Sequence, residues 1–311
     1  MTGPKLERVL VTGASGLMGR ALLEALRAEG AEAIGLTSRD ADLTDFTAAR
    51  TVIARHRPGI VYHLAARVRG IMGNVGAHGQ AYLDNVRMNT NAVEAARLAG
   101  ARKVIAMGSA AIYADAVPLP MREEDVWAGP PHGSEVGYAH AKRGMLAQLE
   151  SYRDQWGLDF AYCISTNLFG PHDKFDERHG HVIPSLISKF HRAVRNGETV
   201  TVWGTGTPRR DFLYVKDAAR AMVLIGRAFS GPINLASGNS VSIREAVELI
   251  ADVSGYASEV VWDATKPDGQ MLRAYEVSKL AALGFSPCYP LRDGLAETFA
   301  WFDANADSAR R

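Results

Sequence analysis

Tyr138 and Lys142 stand four residues apart, and Ser109 lies upstream at the end of an apolar run. On a helix, positions i and i+4 share one face, so the phenol and the ammonium can act on one point. A lysine charge beside a phenol favours the phenolate and is expected to lower the tyrosine pKa. That combination suits a group that donates a proton to a carbonyl oxygen.

A second feature lies near the start of the chain. Val9-Leu10-Val11-Thr12-Gly13-Ala14-Ser15-Gly16-Leu17-Met18-Gly19 enters as an apolar run and leaves as a helical pattern. A glycine turn between a strand and a helix sets backbone N–H groups and a helix N-terminus against a pyrophosphate. Taken with the Tyr–Lys pair, it predicts hydride chemistry on a nicotinamide dinucleotide. The end of the second strand distinguishes the two nicotinamides. NAD sites usually carry an acid there for the ribose 2′-OH. This chain has Gly35-Leu36-Thr37-Ser38-Arg39 instead. Arg39 with two hydroxyls suits a 2′-phosphate, so NADP(H) is the expected cofactor, with Asp42 and Leu43 lining the adenine pocket.

The surrounding elements must hold these groups. Strands are expected at Arg8–Thr12, Glu32–Leu36, Ile60–Leu64, Lys103–Met107 and Phe160–Ile164. Helices are expected at Met18–Glu29, Thr47–His56, Asp84–Ala99 and Tyr138–Gln155. The alternation predicts an α/β fold of Rossmann type, a doubly wound parallel sheet with ligands beyond the carboxyl ends of its strands. After about residue 167 the rhythm changes. Helices at Ile183–Arg195, Ser242–Val253 and Arg292–Asn305 and a strand at Thr199–Trp203 suggest a smaller second lobe, while a helix at Ala218–Arg227 is expected against the first. Residues 1–166 with about 214–236 would bind the dinucleotide. Residues of about 167–213 and 237–311 would bind the substrate. The last residues, from Ser308, are expected to fray.

Bulk composition narrows the function classes. The chain has 311 residues, 35 basic and 34 acidic side chains and a net charge of +1. No basic stripe argues for nucleic acid, no apolar run reaches membrane length, and the first residues lack the apolar core of a signal peptide. Only Cys163 and Cys288 are present, which points to a reduced, cytoplasmic setting with Cys163 in the core. No residue cluster suggests a metal.

Longer strings carry a family resemblance. They are Ala65-Ala66-Arg67-Val68-Arg69-Gly70-Ile71, Gly108-Ser109-Ala110-Ala111-Ile112-Tyr113 and Tyr138-Ala139-His140-Ala141-Lys142. Further on come Thr166-Asn167-Leu168-Phe169-Gly170-Pro171-His172-Asp173, His181-Val182-Ile183-Pro184, Trp203 to Phe212, and Lys266-Pro267-Asp268-Gly269. With these the chain resembles the extended short-chain dehydrogenase/reductases and, more narrowly, the GDP-L-fucose synthase family. The resemblance implies that Ser109 and Tyr138 hold a sugar 4-keto oxygen and that Lys142 binds the nicotinamide ribose. It implies cofactor contacts from Gly13, Ser15, Gly16, Leu17, Met18 and Gly19, from Ser38, Arg39, Asp42 and Leu43, and from Leu64, Ala65 and Ala66, besides Tyr138 and Lys142. A nucleotide-sugar partner, GDP-linked, would face Ser109, Ala110, Asn167, His181, Val182, Lys189, Trp203, Arg210 and Asp268. Arg210 and Lys189 suit a diphosphate. The alternative for Trp203 is a core aromatic. A homodimer through the helices at Asp84–Ala99 and Tyr138–Gln155 is also implied.

Two departures qualify the resemblance. The family's epimerase half pairs a cysteine two residues after the serine with the histidine of the His-Val-Ile-Pro string. Here that position is Ala111, while His181 remains. After Gly269 the family usually has an arginine–lysine pair, where this chain reads Gln270-Met271-Leu272-Arg273. The expected function is therefore NADPH-dependent C4 reduction of a GDP-linked 4-keto-6-deoxyhexose or 4-keto-heptose without 3,5-epimerisation. The full epimerase–reductase, with a group such as His140 replacing the thiol, is the alternative. A 4-epimerase or dehydratase with bound NAD is a third reading, opposed by Arg39 and the lack of an acid pair. A non-enzymatic cofactor sensor is opposed by the intact Ser109, Tyr138 and Lys142 set.

Overall fold

The computed structural model describes residues 8–68, 76–177 and 180–310. Arg69, Gly70 and Ile71 of the first resemblance string lie outside them.

Five strands form at the expected places and assemble in parallel. They are β1 (Arg8–Thr12), β2 (Glu32–Leu36), β3 (Ile60–His63), β4 (Lys103–Met107) and β5 (Asp159–Ser165). With β9 (Gly231–Leu235) they make one six-stranded sheet in the order β2-β1-β3-β4-β5-β9. β4 is buried along its whole length, as expected for a strand covered on both faces. The helices that cover it are α1 (Leu17–Ala28), α2 (Phe46–His56), α3 (His78–Leu98), α4 (Val136–Trp156) and α6 (Val215–Ala228). α1 packs on α6 against one face, while α2, α3 and α4 pack in series against the other. The chain leaves β1 for β2 on one side and returns to β3 on the other. That reversal creates a crevice at the carboxyl ends of β1 and β3, where open α/β sheets bind ligands.

Local chemistry fixes the helix ends. Asp45 caps α2 by accepting from the Ala48 N–H at 2.8 Å. Gly157, at φ 68°, closes α4 in the left-handed conformation. α3 begins at His78 rather than the expected Asp84, with no side-chain cap to announce it.

The remaining elements form a second layer beyond the strand ends. β6 (Asn167–Phe169) runs parallel to β8 (Arg209–Tyr214), and β10 (Ser240–Ser242) runs antiparallel to it. β7 (Thr201–Trp203) and β11 (Val261–Asp263) pair in parallel. α5 (Val182–Asn196) buries Ile183, Leu186, Ile187, Phe190 and Ala193, a helical stripe, against the core. α7 (Ile243–Ser254), α8 (Ser278–Ala282) and α9 (Leu291–Asn305) complete the chain. Ser308 to Arg310 are not frayed as expected, while Arg311 lies outside the described residues. The Arg310 carbonyl accepts from the Phe175 N–H at 2.8 Å, and Ala309 packs against the core. Phe175 itself stacks on Phe302 of α9, with ring centroids 4.3 Å apart.

Candidate active site

The glycine turn is built for close approach. Gly13 has φ 71°, and a Cβ there would lie 2.8 Å from the Ala65 nitrogen. A Cβ on Gly19 would lie 2.2 Å from the Gly13 carbonyl oxygen, so α1 can pack on the turn only with glycine at that position. A Cβ on Gly16 meets only the Gly13 carbonyl, at 3.4 Å. Gly16 also caps α1 without a side chain, and the first turn carries no acid. These features fit a pyrophosphate on the helix N-terminus. Ser15 is exposed and its carbonyl accepts from Arg20 Nε at 3.1 Å. Leu17 is half-buried and Met18 buried behind the turn.

Ser38 and Arg39 are exposed after β2. The neighbouring acid is tied back onto its own loop: the Asp40 carboxylate accepts from the Thr37 N–H at 2.7 Å and its hydroxyl at 2.8 Å. Those two bonds hold its carboxyl below the usual range. Asp42 is similarly tied to the Thr44 N–H, at 2.9 Å, and Leu43 is buried with its carbonyl on Asn91. Across the crevice, the Leu64 and Ala65 N–H groups donate to Thr12 Oγ1 at 3.2 and 3.3 Å. Ala66 packs against Ala111, Tyr138 and Ala139.

Ser109 follows β4 and caps the short helical turn Ala110–Ile112, its Oγ accepting from the Ala111 N–H at 3.2 Å. Ala110 and Ala111 are both buried. Arg143, next to Lys142, donates from Nε to the Ile112 carbonyl at 2.8 Å and so ties this turn to α4. Gly108 leaves room for Tyr162, whose ring would meet a Cβ there at 2.5 Å. The Tyr162 hydroxyl in turn holds the Lys142 carbonyl at 3.0 Å.

Tyr138 and Lys142 do share a face of α4, but their electrostatics differ from the expectation. Lys142 Nζ lies 5.8 Å from the Tyr138 ring centroid and donates to the Met107 carbonyl at 2.7 Å. Burial pushes the ammonium down to about 7. Burial also pushes the Tyr138 phenol well above its usual value, Glu135 adds to this, and the Ser109 hydroxyl opposes it. The lowered tyrosine pKa is thus not found. Desolvation of the phenol is the largest influence on it, and Lys142 is not among the groups that move it.

The residues expected to face the substrate are spread over the second layer. Asn167 Nδ2 donates to the Asp211 carbonyl at 3.0 Å. His181 and Val182 are exposed at the start of α5. Lys189 Nζ donates to the Thr201 carbonyl at 2.7 Å, and burial lowers its pKa. Trp203 is 59% exposed, so the core-aromatic alternative does not hold. Asp268 accepts from the Thr205 N–H at 2.7 Å and its hydroxyl at 2.8 Å, bracing the turn beside Trp203. Arg210 is half-buried, and its pKa falls through desolvation and then through the Arg273 charge nearby.

Residues 9–236 match the family model described as "NAD dependent epimerase/dehydratase family". The chain belongs to the NAD dependent epimerase/dehydratase family. A probable GDP-L-fucose synthase 1 of Oryza sativa subsp. japonica is 37% identical over 309 residues, covering 98% of this chain and 94% of its own. The GDP-L-fucose synthase of Escherichia coli K12 is 35% identical, with coverage of 98% and 99%. Among solved structures, a GDP-L-fucose synthetase from Naegleria fowleri bound to NADP superposes with a TM-score of 0.92 at 33% identity, covering 100% of this chain and 98% of that one.

In this epimerase/dehydratase family member, sequence reading missed three groups. Arg273 belongs to the string that departs from the family pattern, yet its charge lowers the Arg210 pKa. Each of two neighbouring guanidinium charges disfavours the other, and an anion between them would relieve that. Gln270 bonds both Arg273 Nε and the Asp115 carboxylate, so the departing string ties the two layers together. Asp173 is buried with Oδ1 on the Lys174 N–H at 2.7 Å and, among the described residues, no hydrogen-bond partner for Oδ2. Burial pushes its carboxyl up to about 6, and His181 pulls the other way. Its place after Pro171 and His172 is its only signal in the sequence.

Proposed function

We propose that the protein is an NADPH-dependent C4 reductase of a GDP-linked 4-keto sugar and lacks 3,5-epimerase activity. The observation that carries the reading is the set around Tyr138. Ser109, Lys142 and a methyl group, that of Ala111, share its surroundings, and no thiol is present there. The bound nicotinamide would supply the hydride. Gly13, Gly16 and Gly19 would seat the pyrophosphate, Ser38 and Arg39 the 2′-phosphate, and Lys142 the ribose. Ser109 and Tyr138 would hold the 4-keto oxygen, and Tyr138 would give it a proton. A proton donor does not need a low pKa: burial keeps the phenol protonated until the ketone oxygen gains charge. Arg210 and Arg273 would neutralise the diphosphate, with Trp203, Asn167, Lys189 and Asp268 around the nucleotide-sugar.

Both epimerisations remove a proton from a carbon next to the ketone, which needs a base on one face and an acid on the other. An alanine methyl can be neither. His140 does not replace the missing thiol, because it is exposed two positions beyond buried Tyr138, on another side of α4. The bifunctional fucose-synthase reading is favoured by a different observation, the retained His181 beside Asp173. The deciding assay offers NADPH and GDP-4-keto-6-deoxymannose. One NADPH should be consumed per product reduced at C4. Absence of NADPH consumption with this sugar and with a GDP-4-keto-heptose would sink the reductase reading.

A further inference from the structure

His63 ends β3 and is fully buried. Its register partners are Thr12 of β1 on one side and Ala106 of β4 on the other. Thr12 leads directly into Gly13, and Ala106 precedes Met107, whose carbonyl receives Lys142. The row therefore joins the glycine turn to the strand that supports Lys142.

The hydrogen bonds through His63 have a single direction. Thr12 Oγ1 lies 2.9 Å from His63 Nδ1. That oxygen already accepts from the Leu64 and Ala65 N–H groups. Its lone pairs are used, so its proton is left for Nδ1. Nε2 then carries the ring proton and donates to Asn89 Oδ1 at 3.1 Å. The Asn89 amide nitrogen donates to the Ala141 carbonyl at 3.3 Å, on α4 between Tyr138 and Lys142. Thr12, His63 and Asn89 are all at most 1% exposed. Burial first, and then the Lys142 charge, push the imidazole down to about 3, so the neutral tautomer is kept at every working pH. A buried histidine is most often only a satisfied core residue. Here one of its bonds ends on the strand that leads into the glycine turn, and the other reaches α4 through Asn89 of α3.

We propose that His63 is a positioning residue that locks the helix carrying Tyr138 and Lys142 to the pyrophosphate turn after Thr12. The inference rests on NADP(H) binding at that turn, as proposed above. Losing the lock lets α4 shift against the turn while leaving the turn's own contacts to the cofactor in place.

The test compares His63→Phe, His63→Gln and Asn89→Ala with the wild type. His63→Phe should lower kcat by roughly 10- to 100-fold, the scale of a 1 Å misplacement remote from the chemistry. The NADPH Kd should change little, and the primary isotope effect with 4-deuterated NADPH should rise. His63→Gln can donate to Asn89 and accept from Thr12, so it should recover most of the loss. Asn89→Ala cuts the same chain one step later and should behave like His63→Phe, which decides the matter if the latter does not fold. Crystals of the NADP complexes give a readout without substrate: Tyr138 should move by about 0.5 Å or more relative to the Gly13–Gly16 turn in the cut variants. No turnover by the wild type would refute the reductase reading and leave that comparison to judge His63. Folded cut variants with wild-type kcat, isotope effect and Tyr138 position would overturn the proposal, as would a loss confined to a raised KM for NADPH with kcat unchanged.

Discussion

Chemistry at the residue scale was legible where the partners sit on one helix and hidden where they do not. The four-residue spacing of Tyr138 and Lys142 announced a shared face. Nothing in the sequence links Thr12, His63 and Asn89, because their bonds cross three elements. The electrostatics were misjudged for a related reason: charge proximity can be guessed from spacing, but desolvation depends on everything packed around. Three predictions belong here. Tyr138→Phe should leave NADPH binding nearly intact and slow turnover by roughly 100-fold or more, the scale of lost general acid catalysis; near wild-type rates would place the proton donor elsewhere. Arg39→Ala should raise KM for NADPH far more than for NADH, since a charge-assisted phosphate contact is lost; equal effects would show that Arg39 does not read the 2′-phosphate. Lys142 makes a pH prediction. Its folded pKa, about 7, lies below its unfolded value of about 10.4. Below pH 7 it is charged in both states, and its burial costs stability in full. Between about 7 and 10.4 the unfolded state binds more protons, so wild-type stability rises by about 1.4 kcal/mol per pH unit from this group. Without cofactor, Lys142→Met should therefore be more stable than the wild type at pH 7, by a margin that narrows as pH rises. Denaturant midpoints across pH check this, and a constant margin would show that Lys142 does not titrate in that range.

Elements with strong periodicity were read well, and short or unannounced ones were not. Helices such as α5 declare themselves by the spacing of Ile183, Leu186, Ile187 and Phe190. β6, β10 and β11 have three residues each, too few to show a two-residue period. β9 opens with Gly231-Pro232, a pair that reads as a turn, and it survives as a strand because it forms the edge of the sheet. The early start of α3 matters for packing. A Cβ on Gly137 would lie 2.1 Å from the His78 carbonyl oxygen, so α3 and α4 meet closely at their N-terminal ends. Gly137→Ala should destabilise the protein by about 1–3 kcal/mol through overpacking. Gly79→Ala, with nothing within 4 Å, should instead be neutral or stabilising by up to about 1 kcal/mol. Urea midpoints of the two variants give the comparison, and equal effects would mean that the approach of α3 to α4 is not tight.

At the scale of the whole molecule, the parallel sheet and its ligand crevice followed from the alternation of strands and helices, while the packing of the C-terminal residues under Phe175 did not, because a terminal segment carries no periodic signal. Tyr82, Leu83, Leu98 and Trp156 remain 39–45% exposed on α3 and at the ends of α3 and α4. Such apolar exposure along two packed helices suits a two-fold interface, in which the same patch serves both subunits. Sedimentation should give about twice the chain mass at micromolar concentration, and a monomer mass would reject the dimer. The central claim concerns what the assembled site omits. With Ala111 beside Tyr138, the protein should reduce C4 without opening C3 or C5 to solvent. The most direct measurement is mass spectrometry of the product made from GDP-4-keto-6-deoxymannose and NADPH in heavy water, with exchange of the sugar alone subtracted. The account predicts no enzyme-dependent deuterium on carbon. Deuterium at C3 or C5 would show that another residue acts as base, and a bifunctional epimerase–reductase would replace the reductase proposed here.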